Sequence, residues 1–391
     1  MKAVSGGIDQ LKAFLRRSKQ REQRVGILCH PSSVDLRGNH LEQIVEENAK
    51  LVKLFGPQHG IHGETQDNMI EWQDFVDKKN RPVYSLYGER RKPSEDSLSG
   101  IDLMIIDLFD VGARYYTFIY SMAYMLEVCA RMKIPVLICD RPNPLNGQLI
   151  EGPILNLEYQ SFVGLYEIPI SHGMSIAELA LLFSEKMNPK PEIKILKVKN
   201  WKRKLSFESF QQRWLLPSPN MPSFQTCRLY PGMCLLEATS LSEGRGTTRP
   251  FELIGAPFID WSDVEKLYLE QMKKLELRPV QFHRQGFIPS FHKFHAELCF
   301  GALQIPPAKD FWAARHAVVL LWCLRKIYGD SWSWKSPPYE YEYEKLPIDI
   351  LAGNTELRQC VDQGDSLKKL FSHWLEDEKQ FRKSRQKFLL Y

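Results

Sequence analysis

Four polar residues that follow short apolar runs have side chains suited to proton transfer or to hydrogen bonding with a substrate: Gln58, His59, Glu64 and Asp110. The carboxyls of Glu64 and Asp110 can donate or accept a proton, whereas the Gln58 amide can hydrogen-bond but cannot deliver a proton at neutral pH. His59 can donate a hydrogen bond to a substrate or a carboxylate, or simply pack within its loop. Structural roles stay open for both acids, since Glu64 would suit a helix N-terminus and Asp110 could pair with Arg114. These four residues form the candidate catalytic set.

The sequence indicates neither a metal site nor an organic cofactor. His59 and His62 are three residues apart, but no third ligand of evident spacing accompanies them. No GxGxxG follows the first predicted strand, where residues 29–33 read Cys-His-Pro-Ser-Ser and cannot cradle a pyrophosphate in that way. We therefore expect no cofactor.

Three loop arginines, Arg114, Arg245 and Arg249, could bind a carboxylate through two parallel hydrogen bonds. Arginines in glycine-rich loops also satisfy backbone carbonyls, so a structural role stays open for each. Glu243 and Glu252 bracket the last two arginines and can pair with them. We place the three arginines and Glu243 in the candidate binding set.

Asparagine and tyrosine side chains complete that binding set: Tyr116, Asn143, Asn220 and Tyr230. Asparagine can hydrogen-bond hydroxyl and amide groups of a ligand, although it is also a routine turn residue. Tyrosine rings offer a face on which a cyclic ligand can stack.

Short apolar runs separated by amphipathic helices position these residues. The pattern predicts strands at 24–29, 49–55, 103–108 and 135–140, and a helix at 118–133 whose apolar residues recur at helical spacing. Such alternation is typical of parallel strands in an open, Rossmann-like α/β sheet. Ligands of these sheets bind beyond the carboxyl ends of the strands, and most of the candidate residues follow those ends.

A second, smaller domain of mixed α+β structure is predicted after the first. A helix at 175–186, opened by a Ser-Ile-Ala-Glu capping pattern, and a strand at 193–198 precede it. The proline-punctuated stretch 216–222 cannot be regular structure, so we expect domains 1–212 and 213–391. Strands near Phe251, Gln281 and Leu298 and helices from Trp261 and Ala313 are predicted in the second domain. The aromatic-rich segments that include Trp332 and 339–343 are interpreted as core and lid.

Composition narrows the classes of partner. A formal net charge of +5 from 52 basic and 47 acidic residues gives no strong field for a polyanion, and the basic tracts at 90–92 and 197–204 lack a nucleic-acid motif. No apolar run approaches membrane-spanning length and no export signal opens the chain, so we expect a cytoplasmic protein that does not insert in membranes. Eight scattered cysteines predict buried, reduced thiols. The oligomeric state stays open.

Five stretches resemble the exo-β-N-acetylmuramidase family, in the family's order. They cover residues 20–265 strongly and the C-terminal third loosely. They are Leu-Phe-Gly-Pro-Gln-His-Gly at 54–60 with Gly63-Glu64, Pro-Val-Tyr-Ser-Leu-Tyr-Gly at 82–88, Asp-Val-Gly-Ala-Arg-Tyr-Tyr-Thr at 110–117, Asp-Arg-Pro-Asn-Pro at 140–144 with Glu151-Gly152-Pro153, and the run 218–260, in which 241–252 reads Leu-Ser-Glu-Gly-Arg-Gly-Thr-Thr-Arg-Pro-Phe-Glu.

The resemblance implies a Rossmann-like domain packed on a smaller one, with an active site in the cleft. It also implies cofactor-independent removal of terminal N-acetylmuramic acid from peptidoglycan fragments, in cell-wall turnover or recycling. The partner would be a muramic-acid-containing saccharide or muropeptide, whose lactyl carboxylate suits the candidate arginines.

One position departs from the family. The turn after the second strand usually reads Pro-Glu-His-Gly, and that glutamate is the family's leading candidate for the catalytic acid, whereas this chain has Gln58. Two hypotheses follow. Either another carboxyl serves as the acid of a working glycosidase, or the chain has lost catalysis and binds the saccharide.

Overall fold

The apolar runs of the first half form an open, largely parallel sheet in the computed structural model, which describes residues 2–17, 22–66, 69–88 and 90–391. Within those residues seven strands pair in the order β3-β4-β2-β1-β5-β6-β7, and only the β3–β4 pair is antiparallel. The strands are β1 Arg24–Leu28, β2 Lys50–Gly56, β3 Phe75–Val76, β4 Pro82–Ser85, β5 Leu103–Ile106, β6 Val136–Cys139 and β7 Ile193–Leu196.

The predicted parallel strands are confirmed, with ends that differ by at most two residues for β1, β2, β5 and β6. β5 and β6 are buried along their whole length because helices cover both faces of the sheet. The chain places β2, β3 and β4 on one side of β1 and then β5, β6 and β7 on its other side. β1 and β5 are therefore the neighbours at which the strand order reverses, where α/β sheets usually place their ligands.

Helices account for most of the remaining regular structure. α4 confirms the predicted helix, and Ser175 caps α5 in a full capping box with Glu178. The helices are α1 Ile8–Arg17, α2 Leu41–Glu46, α3 Glu95–Leu98, α4 Phe118–Met132, α5 Ile176–Ser184, α6 Phe224–Met233, α7 Trp261–Lys274, α8 Ala313–Tyr328, α9 Pro347–Ala352, α10 Glu356–Gln363 and α11 Leu367–Ser384. Short 3-10 helices span Leu157–Tyr159, Phe207–Ser209, Cys234–Ala238, Gly329–Ser331 and Arg385–Phe388.

The C-terminal part has the predicted mixed character. An antiparallel sheet of three strands, in the order β8-β10-β9, packs with α6 to α8. Its strands are β8 Leu253–Ala256, β9 Gln281–Phe287 and β10 Cys299–Ile305. The chain from 211 to 222, around the predicted boundary at residue 213, contains no helix or strand. The boundary itself stays a prediction.

Buried polar contacts tie the C-terminal part to the first sheet's surroundings. The Glu151 carboxylate accepts hydrogen bonds from the backbone N–H groups of Ala314 and Arg315, at 3.1 and 2.8 Å, in the first turn of α8. An anion there complements the positive end of the helix dipole. Beyond α11, Arg385 donates to the carbonyls of His172, at 2.8 Å, and Gly173, at 2.7 Å. One continuous apolar cluster also runs from Ile8 in α1 through to Phe381 in α11.

Among the described residues, no helix combines the length and apolar character needed to cross a membrane. All eight cysteines are free and buried. No group of three or more His, Cys, Asp or Glu side chains among those residues is arranged to hold a metal ion.

Candidate active site

A small pocket forms where the loops after β2 and β5 meet the C-terminal part. The pocket has a free volume of about 30 Å³, which is roughly the space that one water molecule occupies in the liquid. Its walls therefore have to move apart to admit a pyranose ring. The lining comprises Gln58, His59, Tyr115, Tyr116, Thr117, Val163, Ser218, Asn220, Met221, Tyr230, Glu237, Arg245, Phe251, Tyr339 and Glu340.

The structure brings six of the predicted site residues into this one pocket. They are Gln58, His59, Tyr116, Asn220, Tyr230 and Arg245. They come from segments as distant in sequence as residues 58 and 245, and only the tertiary fold brings them together.

The Gln58 amide has a fixed orientation. Its Oε1 accepts a hydrogen bond from Thr117 Oγ1 at 2.5 Å, and its Nε2 donates to Glu340 Oε1 at 3.3 Å. His59 follows with a left-handed backbone, at φ 74°, and its Nδ1 hydrogen-bonds the Thr65 carbonyl at 2.9 Å. The turn after β2 thus holds an amide and an imidazole at the pocket wall.

Glu340 is a buried carboxyl that the sequence did not mark as functional. The Tyr87 hydroxyl lies 3.2 and 3.0 Å from its two oxygens, and the side chain is 2% exposed. Burial, reinforced by the negative charge of Glu237, raises the pKa of Glu340 to about 7. A substantial fraction of this carboxyl is therefore protonated at neutral pH.

Glu237 is the second carboxyl of the pocket and is held in the opposite state. Burial by itself would raise the pKa of Glu237, but the Arg245 guanidinium, 2.7 Å away, outweighs burial and lowers it below its ordinary value. The Tyr339 hydroxyl donates to the other oxygen at 2.8 Å. The surroundings of Glu237 therefore favour the ionised form, whereas burial of Glu340 favours the protonated form.

Two members of the predicted binding set lie in the protein interior, away from the pocket lining. The Arg114 guanidinium donates four hydrogen bonds of 2.8 to 2.9 Å to backbone carbonyls, two of them at Leu351 and Ala352. Asn143 donates to the Met174 carbonyl at 3.2 Å and accepts from the backbone of Leu145. Both side chains are therefore engaged in hydrogen bonds to the backbone, and neither lines the pocket.

Arg249 and Glu243 also lie outside the lining. The Arg249 side chain is 53% exposed and forms an ion pair with Glu252 at 3.2 Å. Glu243 is fully buried and accepts a hydrogen bond from Lys293 Nζ at 2.6 Å, with Arg245 Nε at 3.5 Å. Burial of Glu243 is offset by the nearby positive charges, first that of Lys293, so its pKa lies well below the ordinary value.

The two predicted catalytic acids occupy other places. Asp110 is buried, accepts a hydrogen bond from the Gly112 backbone at 2.8 Å and lies 3.2 Å from His172 Nε2, so its neighbour is a histidine and not Arg114 as one hypothesis held. Glu64 is exposed in a loop of the segment 61–66. Neither residue lines the pocket.

Sequence reasoning missed the carboxyls that the pocket does contain. Glu237 stands in an otherwise apolar run, Leu-Leu-Glu-Ala at 235–238, and a lone acid in such a run could have drawn attention. Glu340 stands in Tyr-Glu-Tyr-Glu-Tyr at 339–343, where nothing separates it from its neighbours. That segment was expected to be core and lid, and it also supplies Tyr339 and Glu340 to the pocket.

Two carboxyls in one pocket, one with a raised pKa and one with a lowered pKa, are typical of a glycoside hydrolase. The comparisons with known proteins agree with this class. The chain belongs to the exo-β-N-acetylmuramidase family: the family model for the N-terminal domain of exo-β-N-acetylmuramidase NamZ matches residues 25–225, and the model for its C-terminal domain matches residues 228–391. The predicted family is confirmed.

A curated relative and two solved structures are similar over nearly the whole chain. The peptidoglycan β-N-acetylmuramidase NamZ of Bacillus subtilis (strain 168) is 39% identical over 393 residues, which cover 99% of this chain and 91% of the relative. Crystal structures of two DUF1343 family proteins from Bacteroides fragilis NCTC 9343 have TM-scores of 0.85 and 0.78, each at 28% identity and covering 100% of this chain and 99% of theirs. The predicted fold class is confirmed.

Proposed function

We propose that this protein is an exo-acting glycoside hydrolase that releases terminal N-acetylmuramic acid from peptidoglycan fragments. The observation that carries the proposal is a pocket with two carboxyls in different surroundings, in a chain of this family. Glu237 is held by the Arg245 cation, and Glu340 is buried against the neutral groups of Tyr87 and Gln58. The activity named for the Bacillus relative supports the choice of sugar. The reaction would serve cell-wall turnover or recycling.

The shape of the cleft supports removal of sugars from a chain end. A second cavity of about 250 Å³ adjoins the small pocket and shares Gln58, His59 and Ser218 with it. A terminal sugar in the small pocket would place its glycosidic oxygen at this shared wall, with the leaving group in the second cavity. Such an arrangement would suit a sugar at the end of a chain.

Asn220 and Arg245 are two members of the predicted binding set that line the pocket and share one hydrogen-bond acceptor. Asn220 Nδ2 donates to the Gln66 carbonyl at 2.5 Å, and Arg245 donates to the same carbonyl at 3.2 Å. Admission of the sugar would exchange these contacts for contacts with the substrate. Arg245 also holds Glu237, so we propose that it acts on that carboxylate and on the sugar's lactyl group together.

The test of the proposed function is release of the free sugar from two substrates. The purified protein is incubated with a chromogenic N-acetylmuramic acid glycoside and with a disaccharide fragment that has N-acetylmuramic acid at its non-reducing end. We expect release from both. If neither substrate releases sugar, the proposed function is contradicted.

Gln58 supports a second candidate, a saccharide-binding family member without catalysis. The amide cannot supply the proton that the resemblance assigns to this position. Calorimetric binding of the disaccharide without turnover, with turnover restored in Gln58→Glu, would establish this alternative. Turnover by the parent protein would exclude it.

We also propose that the reaction takes place in the cytoplasm, on fragments already taken up by the cell. The eight buried thiols suit a reducing compartment. Fractionation of the source cells with an antibody against the protein tests this, and recovery outside the cytoplasmic fraction contradicts it.

A further inference from the structure

We infer that Glu340 is the proton donor of the reaction and that Gln58 positions it. This inference rests on the proposed hydrolysis and assigns to Glu340 the task that the family resemblance gives to position 58. The inferred donor therefore comes from the segment 339–343, far along the chain from the turn after β2.

The contacts of the two carboxyls in the pocket separate their roles. Both oxygens of Glu237 are engaged, one by the Arg245 cation and one by the Tyr339 hydroxyl. Among the described residues, the hydrogen-bond donors to Glu340 are the neutral groups of Tyr87 and Gln58. A carboxyl held by neutral groups can keep a proton, whereas one held by a guanidinium stays ionised.

The Gln58 amide determines which oxygen of Glu340 carries the proton. Because Oε1 of Gln58 accepts from Thr117, its Nε2 faces Glu340, and an amide nitrogen can only donate. Glu340 Oε1 must therefore be an acceptor. The acid proton of neutral Glu340 is then carried by Oε2, which lies 3.0 Å from the Tyr87 hydroxyl.

The charged and titratable groups around Glu340 agree with this role. Tyr87 contacts Glu340, and the charge of Glu237 raises its pKa through space. Arg91, whose guanidinium lies over the Tyr341 ring at 4.4 Å, opposes the effect of Glu237. Burial has the largest effect on the pKa of Glu340, which is raised to about 7. The acid form therefore stays populated up to about that pH.

The reaction step balances as follows. The bond between the anomeric carbon and the glycosidic oxygen breaks, its electron pair goes to that oxygen, and the Glu340 proton converts the oxygen to the hydroxyl of the leaving sugar. The positive charge on the anomeric carbon is stabilised by the Glu237 carboxylate. A water oxygen bonds to that carbon, and the proton that the water loses restores the acid form of Glu340.

The test compares Glu340→Gln with the parent protein and with Glu344→Gln, a matched control at an exposed position just after that segment. Each protein is assayed on the disaccharide, whose leaving group must be protonated, and on a nitrophenyl glycoside, whose leaving group needs little protonation. We expect Glu340→Gln to lose about 10²- to 10⁴-fold in kcat/KM on the disaccharide and less than about tenfold on the nitrophenyl glycoside. Glu344→Gln should match the parent on both.

The outcomes separate the two levels of the argument. If the parent releases sugar from the disaccharide and Glu340→Gln does so at the same rate, Glu340 is not the proton donor although the hydrolase function stands. Equal losses on both substrates also overturn the assignment, because a structural role would affect them alike. A parent that releases no sugar overturns both the function and the role of Glu340.

A pH profile keeps the inference testable if Glu340→Gln does not fold, as judged by circular dichroism. In the parent, kcat/KM on the disaccharide should fall as the pH rises through about 7, because the donor loses its proton. A rate on the disaccharide that stays constant across that range overturns the inference.

Discussion

Replacing Gln58 by glutamate should make the stability of the protein depend on pH in a range where the parent is nearly insensitive. The Gln58 nitrogen lies 3.3 Å from Glu340 Oε1. Two ionised carboxylates at that separation would repel by about 5 kcal/mol at an effective dielectric constant of about 20. Since one pKa unit corresponds to about 1.4 kcal/mol, this repulsion exceeds three units. The pair therefore holds a shared proton far above the range in which Glu340 alone would lose it.

The sign follows from the protons bound in each state. In the unfolded chain both carboxyls are ionised at neutral pH, so a folded state that retains a proton loses stability as the pH rises, by about 1.4 kcal/mol per pH unit. Burial raises the pKa of Glu340 in the parent to about 7. The parent should therefore lose less than about 1 kcal/mol from this site between about pH 7 and about pH 9, whereas Gln58→Glu should lose about 3 kcal/mol.

Urea unfolding followed by tryptophan fluorescence at these two pH values measures the difference. The double variant Gln58→Glu/Glu340→Gln is the control, because it restores one amide and one carboxyl and should return to the parent's weak pH dependence. If the free energy of unfolding falls by the same amount between the two pH values in the parent and in Gln58→Glu, the reasoning is refuted. The two side chains would then be too far apart to share a proton.

Three further predictions concern the packing around the pocket. Glu237→Gln removes the carboxylate that pairs with the Arg245 cation, so the free energy of unfolding should fall by about 3 to 5 kcal/mol. Urea unfolding measures this, and a loss below about 1 kcal/mol would contradict a tight ion pair. Gly232→Ala should prevent normal folding, because the added methyl would overlap the Ala313 carbonyl where α6 packs on α8. Expression and circular dichroism test this, and a native spectrum would show that the two helices can move apart at low cost. Arg249→Ala removes only an exposed ion pair and should change the free energy of unfolding by less than about 1 kcal/mol, so a calorimetric loss above about 2 kcal/mol would indicate a buried role.

The sequence alone determined the elements of the fold and the edge of the sheet at which a ligand should bind. Strands β1, β2, β5 and β6 and helix α4 are visible as apolar runs and as helical spacing because both signals are local. The loops that follow these strands carry Gln58, His59 and Tyr116, and all three do line the pocket. These results needed only the rule that ligands lie beyond the carboxyl ends of parallel strands.

The tertiary structure alone decided which side chains face the pocket and which of them can carry a proton. Arg114 and Arg245 look alike in sequence, yet they have different partners. Arg114 donates to four backbone carbonyls, two of them more than 200 residues away, whereas Arg245 pairs with a carboxylate in the pocket. The contact between Gln58 and Glu340 joins residues 282 positions apart. The protonation of Glu340 depends on burial and on neighbours from several elements, and no local pattern of residues can encode such an environment.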